Sequence, residues 1–179
     1  MSYTIRKVEP NELALLLPLM KDCFGMEVDV SYFQWKFLDN PAGSFVGFAA
    51  FHEESGDCAG YYGVIPEQYV VDGKPSIIFQ SGDTMTHSKH RRQGLFFKLA
   101  TACYQYLEAQ SNLFVIGFGG GQSTPGLEKL GWRHLFPIRY FGIPRLVCTA
   151  YKGLDKITGK KYQFQQKNTH NLATELAAN

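Results

Sequence analysis

A basic turn containing glycine connects two apolar parts of the chain at residues 87–94. It holds Arg91, Arg92 and Gly94 immediately before a segment with helical spacing of apolar residues. A helix start exposes backbone N–H groups without intrahelical acceptors and carries a partial positive charge, so it binds phosphate well. Gly94 lets a ligand approach the backbone closely, and the arginines add full charges. The turn therefore predicts phosphate binding, with a solvated basic turn as the alternative interpretation.

The segments that flank this turn predict a mixed α/β chain. Apolar runs separated by turn residues, with Asp72-Gly73 as a hairpin signal, predict an antiparallel meander of three strands at 45–51, 59–71 and 76–85. Helical spacing over Leu95–Leu107 predicts a long helix directly after the basic turn. A buried strand at 113–118 and a short helix at 123–130 follow. The phosphate-binding turn would thus lie between a strand and a helix.

The first forty residues predict one strand and two helices. Residues 3–8 are expected to form the strand, Asn11 is expected to cap a helix that begins at Glu12, and Gly25 is expected to end that helix. A second helix is expected from Ser31 until Asn40-Pro41 stops it.

Aromatic side chains are expected to fill the core of this fold because helix and sheet periods account for them. They are Phe45, Phe48, Phe51, Tyr61 and Tyr62. Trp35, within the second predicted helix, and Trp132 are also expected to pack inside.

Three segments resemble the GNAT acyltransferase superfamily over roughly residues 1–143. Residues 84–96 resemble its coenzyme A loop, whose pattern is Arg/Gln-x-x-Gly-x-Gly/Ala, with Arg91 and Gly94 matching and Phe96 departing from it. Residues 117–132 resemble the later strand and short helix that close with Lys-Leu-Gly-aromatic. Residues 32–43 resemble a subgroup often found with bacterial polysaccharide genes.

The resemblance implies a fold of the α/β (α+β) class. The expected architecture is a mixed, mainly antiparallel sheet flanked by helices, with central strands that splay apart. Residues 1–143 would form the acyltransferase domain and residues 144–179 a C-terminal extension.

Acetyl-CoA is the co-substrate that the resemblance implies, with no metal. Its pyrophosphate would lie on the backbone amides from Arg92 to Phe96, and its pantetheine arm would pair with the strand near Thr84–Thr86. The full set of implied contact residues is Thr84, Met85, Thr86, Arg91, Arg92, Gln93, Gly94, Leu95, Phe96, Gln122 and Ser123.

The same resemblance implies direct attack of an amine on the thioester, whose carbonyl is polarised by a backbone N–H near residues 84–86. A lysine-like amine, with a reference pKa of about 10.4, must lose a proton first. Asp83 and His87 lie near the expected thioester and are the candidate bases. The alternative interpretations are that Asp83 is a turn or bulge residue and that His87 is a surface histidine beside the basic turn. The family often has a tyrosine as the acid on the thiol side, at the position of Leu127. Ser123, Tyr140 or solvent would replace it here.

These features together predict an N-acetyltransferase that acts on a primary amine of a small molecule, with an amino sugar favoured by the subgroup resemblance and a hydroxyl acceptor left open. The alternative is a GNAT-like module that binds acyl-CoA or a protein partner without turnover. Leu127 and the absence of an obvious acid–base pair motivate that alternative.

Composition excludes several other classes of protein. Eighteen Lys and Arg against sixteen Asp and Glu leave a net charge of +2, too small for a protein that coats nucleic acid. The apolar run Leu13–Met20 is too short to span a membrane, and residues 1–10 do not resemble a secretory signal. Four widely separated cysteines indicate neither zinc nor disulfides and favour a cytoplasmic protein. An edge strand predicted at 139–143 favours a homodimer.

Overall fold

The computed structural model describes residues 2–111, 114–119 and 123–136. The chain divides into two compact units, residues 1–134 and 135–179, and only Leu135 and Phe136 of the second unit are among the described residues. The predicted domain boundary at 143, the predicted strand at 139–143 and Tyr140 lie outside the described residues. No helix in the described ranges is long and apolar enough to cross a membrane.

The first unit contains one five-stranded sheet whose strands neighbour one another in chain order. The strands are β1 (Tyr3–Lys7), β2 (Val46–His52), β3 (Cys58–Val71), β4 (Lys74–Thr86) and β5 (Val115–Gly117). Strands β1 to β4 pair antiparallel, and β5 pairs parallel to β4. The Asp72-Gly73 hairpin joins β3 to β4, with both residues at positive φ. The predicted meander and the mixed, mainly antiparallel sheet are therefore confirmed.

Strand β4 is paired with β5 over only three residues. Phe79, Gln80 and Ser81 face Val115, Ile116 and Gly117, whereas β4 continues to Thr86. Within the described part of the chain, the edge of β4 beyond Ser81 therefore has no strand partner on the β5 side. This gap positions the cavity described below.

The helices lie on the two sides of the sheet. They are α1 (Leu17–Phe24), α2 (Val30–Phe33), α3 (Leu95–Ala109) and α4 (Thr124–Lys129). A 3-10 helix, Pro10–Leu16, precedes α1, and a π-helical segment, Gln34–Leu38, continues α2. Gly25 ends α1 in the left-handed conformation, as predicted.

The predicted cap of the first helical segment is wrong. Glu9, not Asn11, precedes it, and Glu9 forms a reciprocal capping box with Glu12. The Glu12 carboxylate accepts from the Glu9 backbone N–H at 3.0 Å and also binds the Arg6 guanidinium at 2.7 and 2.8 Å. The proline at position 10 fits the first helical position because its missing N–H is not needed there. The segment therefore begins two residues before the predicted start.

Two apolar clusters cover the two faces of the sheet. On the α1 and α2 side, Phe33 stacks on Phe37 and Phe37 stacks on Phe45. The buried Tyr61 ring lies over the glycines of β2 and β3, Gly47 and Gly63, where any side chain would overlap it. On the α3 side, buried Tyr62 lies in the cluster with Val46, Leu95 and Leu99 of the sheet and helix.

The core prediction fails at Trp35, whose side chain is 66% exposed. Trp35 stands between buried Phe33 and Phe37, and the π-helical turn places it on the outer side of the segment. The continuous helix predicted from residue 31 is therefore a short α-helix followed by a π-helical turn, which is a feature often found at functional sites.

Candidate functional site

The basic turn ends at a helix start that presents backbone amides. Gly94 adopts a left-handed conformation, with φ +69°, and α3 begins at Leu95. No side chain caps this start, and the space beside Gly94 is open. Arg91, Arg92 and Gln93 are exposed. A long helix with an uncapped start, flanked by two arginines, is suited to an anionic ligand.

Two side-chain contacts hold the turn against the rest of the domain. The Ser88 backbone N–H and hydroxyl donate to the two carboxylate oxygens of Asp22 on α1, each at 2.7 Å. These hydrogen bonds hold the pKa of Asp22 below its usual range. Buried His90 hydrogen-bonds through Nδ1 to the Tyr3 hydroxyl on β1 at 3.1 Å. Ser88 and His90 are thus both held by side-chain hydrogen bonds just before Arg91.

A cavity of about 250 Å³ lies beside the unpaired end of β4. Its lining comes from five elements and the segments that follow them: Phe24, Ser81, Gly82, Asp83, Thr84, Phe96, Gly117, Phe118, Gly119, Ser123 and Leu127. Of the residues predicted for the site, the structure brings Asp83, Thr84, Phe96 and Ser123 together around this one space.

Asp83 is the charged residue in the lining of that cavity. It occupies an irregularity in the β3–β4 pairing and has φ +50°, an uncommon conformation for a residue other than glycine. Its carboxylate pairs with the Lys36 ammonium of the π-helical segment at 2.6 Å, and both side chains are largely buried. A strained residue at a cavity wall is a frequent mark of a functional site.

His87, the other predicted base, is not part of the cavity lining. Its Nδ1 accepts a hydrogen bond from the Lys89 backbone N–H at 3.2 Å, and its Nε2 lies 3.9 Å from an Asp22 carboxylate oxygen. The geometry therefore favours Asp83 over His87 for contact with a ligand in the cavity, while His87 contributes to the anchoring of the basic turn.

The remaining predicted coenzyme residues have varied surroundings. Met85 and Leu95 are buried, so any contact with a ligand has to come from their backbones. The Thr86 carbonyl accepts from the Cys23 thiol at 3.4 Å and from Arg91 Nε at 3.5 Å. Gln122 lies outside the described residues.

Phe96 takes the place of a small residue in the expected pattern, and its ring connects two elements. It lies edge-on to Tyr62 of β3, with ring centroids 6.0 Å apart, and it contacts Gly126 of α4 so closely that a side chain there would overlap it. The ring thus packs α3 against both the sheet and α4.

Sequence reasoning missed Lys36, Ser81, Phe24 and Phe118 as site residues. Phe24, at the end of α1, is 48% exposed and borders the cavity with Phe118, which is 60% exposed. Lys36 lies within the segment 32–43 that carries the subgroup resemblance, so that motif was the available signal. Ser81 has no sequence signal, because a serine in a strand is ordinary.

The described cysteines are poor nucleophiles. Burial raises the pKa of Cys58 to about 11 and that of Cys103 to about 12, and it also raises the pKa of Cys23. Each therefore remains a thiol at neutral pH, whereas covalent catalysis needs the thiolate.

Comparison with known proteins gives one family and a set of similar folds. The acetyltransferase (GNAT) domain family matches residues 4–135. The search of curated proteins gives no match. An aminoglycoside acetyltransferase from an uncultured soil metagenomic sample has 20% identity and a TM-score of 0.59, covering 80% of this chain and 99% of its own.

Two further structures are similar in the same way. Glucosamine-6-phosphate N-acetyltransferase from Arabidopsis thaliana has 16% identity and a TM-score of 0.59, covering 79% of this chain and all of its own. A predicted acetyltransferase from Clostridium acetobutylicum, solved with acetyl-CoA, has 14% identity and a TM-score of 0.62, covering 79% and 96%. At these identities the similarity establishes the fold.

Proposed function

The chain belongs to the GNAT acetyltransferase family, whose members are acyltransferases, and we propose that it transfers an acetyl group from acetyl-CoA to a primary amine of a small molecule. The observation that carries this proposal is the cavity beside the unpaired end of β4. The basic turn at 87–94 connects this end of β4 to the uncapped start of α3. The two features suit two parts of one ligand, its anionic pyrophosphate and its thioester.

The coenzyme would bind mainly through the backbone. The pyrophosphate lies on the amides from Arg92 to Phe96, where the dipole of the 15-residue helix α3 and the side chain of Arg91 add positive potential. The pantetheine arm then follows the free edge of β4 near Thr84–Thr86 and pairs with it as an added strand would.

Acetyl transfer would proceed by direct attack. A backbone N–H at the irregularity near Asp83 polarises the thioester carbonyl and stabilises the oxyanion as the amine nitrogen attacks. The C–S bond then breaks and its electron pair leaves with sulfur. The raised pKa values of Cys23, Cys58 and Cys103 disfavour a cysteinyl acyl-enzyme formed by any of them.

Asp83 would attract the cationic amine and accept its proton, directly or through one water. Lys36 holds this carboxylate at the cavity wall through the 2.6 Å ion pair. The charge of the pair is balanced in the free enzyme, so an incoming ammonium group competes with Lys36 for Asp83. His87 remains the second candidate for the base, acting through water.

An amino sugar is the acceptor that we favour. Two of the similar structures are named for amino-sugar acceptors, an aminoglycoside and glucosamine 6-phosphate. The exposed rings of Phe24 and Phe118 at the cavity provide flat apolar surfaces of the kind that can pack against a sugar ring. The resemblance of residues 32–43 to the polysaccharide-gene subgroup points to the same class. We also propose that the protein is cytoplasmic and forms a homodimer.

The test is thiol release from acetyl-CoA by the purified chain across a panel of amino sugars, aminoglycosides, polyamines and amino acids. We expect release with at least one amine, and none with the matching N-acetylated compound or with Gly94→Asp. Acetyl-CoA binding without release for any amine or hydroxyl acceptor would instead support the alternative of a binding module without turnover.

A further inference from the structure

Lys36 places a primary amine beside the wall of the cavity. Its Nζ atom lies 2.6 Å from Asp83 Oδ2, and Asp83 lines the cavity next to the unpaired end of β4. The same Nζ atom lies 5.8 Å from the centroid of the Tyr32 ring on α2, close enough for a cation–π contact. Contacts from two different elements therefore hold this amine one hydrogen-bond length from a residue that lines the cavity.

The pair formed by Lys36 and Asp83 is shielded from solvent. The side chain of Lys36 is 24% exposed and that of Asp83 is 15% exposed. The stacked and buried rings of Phe33 and Phe37, on either side of Lys36 in the sequence, hold this segment against the core. A lysine side chain is flexible when it is solvated. Here the amine instead has a defined position next to a carboxylate.

Other lysines in the described part of the chain provide the comparison. Lys21 on α1 also has a carboxylate oxygen at 2.6 Å, that of Glu27, but both of these side chains are largely exposed and neither residue lines the cavity. Lys7 pairs with Glu9 at 3.9 Å, again outside the cavity lining. Lys36 is thus the one lysine in the described ranges whose ion-pair partner lines the cavity.

We propose that Lys36 is a modification site and that the chain acetylates its Nζ atom with bound acetyl-CoA. This inference rests on the proposed function, because it needs the thioester in the cavity beside Asp83. Rotation about the bonds of its four-carbon stem brings the amine past Asp83 to the thioester. An amine already fixed next to the reacting groups needs no binding step, which gives it a high effective concentration.

The existing ion pair provides the path for the first proton. Asp83 Oδ2 accepts a proton from the Lys36 ammonium across the 2.6 Å contact and passes it to water, and the neutral nitrogen attacks the acetyl carbon. The N–C bond forms, the C–S bond breaks, and its electron pair leaves with sulfur. The nitrogen loses a second proton as the amide forms, and the thiolate takes up that proton. The amide is stable, so Lys36 keeps the acetyl group and does not pass it on.

The test needs no added acceptor. The purified chain is incubated with saturating acetyl-CoA that carries an isotope-labelled acetyl group, and labelling of each lysine is followed over time by mass spectrometry of its peptides. We expect Lys36 to be labelled at least about tenfold faster than Lys21. The rate per chain should stay the same when the protein is diluted, because the amine and the coenzyme belong to one complex.

Desulfo-coenzyme A separates this reaction from chemical acetylation by acetyl-CoA in solution. In excess it would occupy the site without a thioester, so it should slow labelling of Lys36 and leave labelling of Lys21 unchanged. Gly94→Asp should have the same effect, because it prevents coenzyme binding at the start of α3.

Asp83→Asn tests the transfer of the proton. It should slow labelling of Lys36 about tenfold or more and leave the rate at Lys21 unchanged. Asp39→Asn, at an exposed position directly after the π-helical segment, is the matched control and should label Lys36 at the wild-type rate. Circular dichroism on both variants shows whether they are folded.

The outcomes separate this inference from the proposed function. Equal labelling of Lys36 and Lys21, or labelling of Lys36 that desulfo-coenzyme A does not slow, would overturn the inference. Thiol release with a small amine in that same preparation would leave the proposed function standing. Labelling of Lys36 in Asp83→Asn at the wild-type rate or faster would overturn the proton transfer to Asp83. A wild type that binds no acetyl-CoA would overturn both proposals.

Discussion

The turn at 91–96 is one continuous piece of chain, whereas the cavity beside β4 is assembled from β4, β5 and the helices α1, α3 and α4. The turn presents backbone amides whose direction is set by the start of α3. The cavity presents side chains, with Asp83 as its charged group. Substitutions at a position where the backbone itself would contact the ligand should therefore reduce coenzyme affinity most at the turn. Substitutions that remove one side-chain functional group should reduce the reaction rate most at the cavity.

Gly94→Asp should have the largest effect. The new carboxylate stands where the phosphates would lie, so we expect acetyl-CoA affinity to fall more than about 100-fold while the domain stays folded. Gly56→Asp is the matched control because Gly56 also has a positive φ and open space beside it. Calorimetry and circular dichroism on both variants measure the effect. Wild-type affinity in Gly94→Asp would show that the ligand binds elsewhere.

Asp83→Asn should leave the turn intact and slow the chemistry. Removal of a general base lowers kcat by about 10²–10⁴, and we expect the lower part of this range because water can substitute. The affinity for acetyl-CoA should change less than about twofold, since no phosphate contact is lost. Steady-state kinetics with the identified acceptor measure both quantities, and Asp39→Asn, at an exposed position, is the control.

Loss of Asp83 also leaves Lys36 without its partner, which provides a check on the cause. The variant should lose about 1–3 kcal/mol in the free energy of unfolding. Lys36→Met combined with Asp83→Asn should recover most of that stability and none of the rate. Recovery of the rate would mean that Asp83 acts only through structure.

Arg91→Ala should have a moderate effect because the backbone amides remain. One charged contact is lost, so we expect acetyl-CoA to bind about tenfold more weakly, and the difference from the wild type should shrink as salt is raised. Arg133→Ala, an exposed arginine outside the turn, is the control. Complete loss of binding in Arg91→Ala would make the site depend on side chains and remove the contrast with the cavity.

The smallest effect is expected at His90, within the basic turn at 87–94. Burial and the neighbouring His52 and His87 lower the pKa of His90 below its usual 6.5. The unfolded chain then takes up a proton at a higher pH than the folded chain. The stabilising contribution is therefore complete above about pH 6.5 and is lost as pH falls through the lowered pKa.

Urea unfolding from pH 7 to pH 5 measures this dependence. The free energy of unfolding should fall less over that interval in His90→Gln than in the wild type. The exposed His134→Gln should follow the wild type. Identical slopes for His90→Gln and the wild type would remove His90 as a source of the dependence.

The contrast between the two regions also explains what could be predicted from the sequence. The meander, helix α3 and the basic turn were predicted because hairpin signals, helical spacing and a glycine at a helix start are local properties of the chain. The coenzyme-binding residues proposed for the turn are neighbours in sequence, so a short motif was enough to predict them.

The cavity could not be read in the same way. Lys36 and Asp83 meet across 47 positions, and the meeting depends on a π-helical turn and a strand irregularity that no local pattern encodes. The N-terminal cap was misplaced at Asn11 because the capping box uses Glu9, a less usual capping residue. Trp35 was expected inside because an apolar side chain is usually buried, and the π-helical turn changes which residues face the core.

Calorimetry with acetyl-CoA and with S-acetylpantetheine on the wild-type chain shows whether the start of α3 binds the coenzyme. The two ligands share the thioester and the pantetheine arm, and only acetyl-CoA carries the pyrophosphate that would lie on the start of α3. We expect acetyl-CoA to bind at least ~100-fold more tightly than S-acetylpantetheine. Equal affinities would contradict it, because the turn at 91–96 would then have no part in binding.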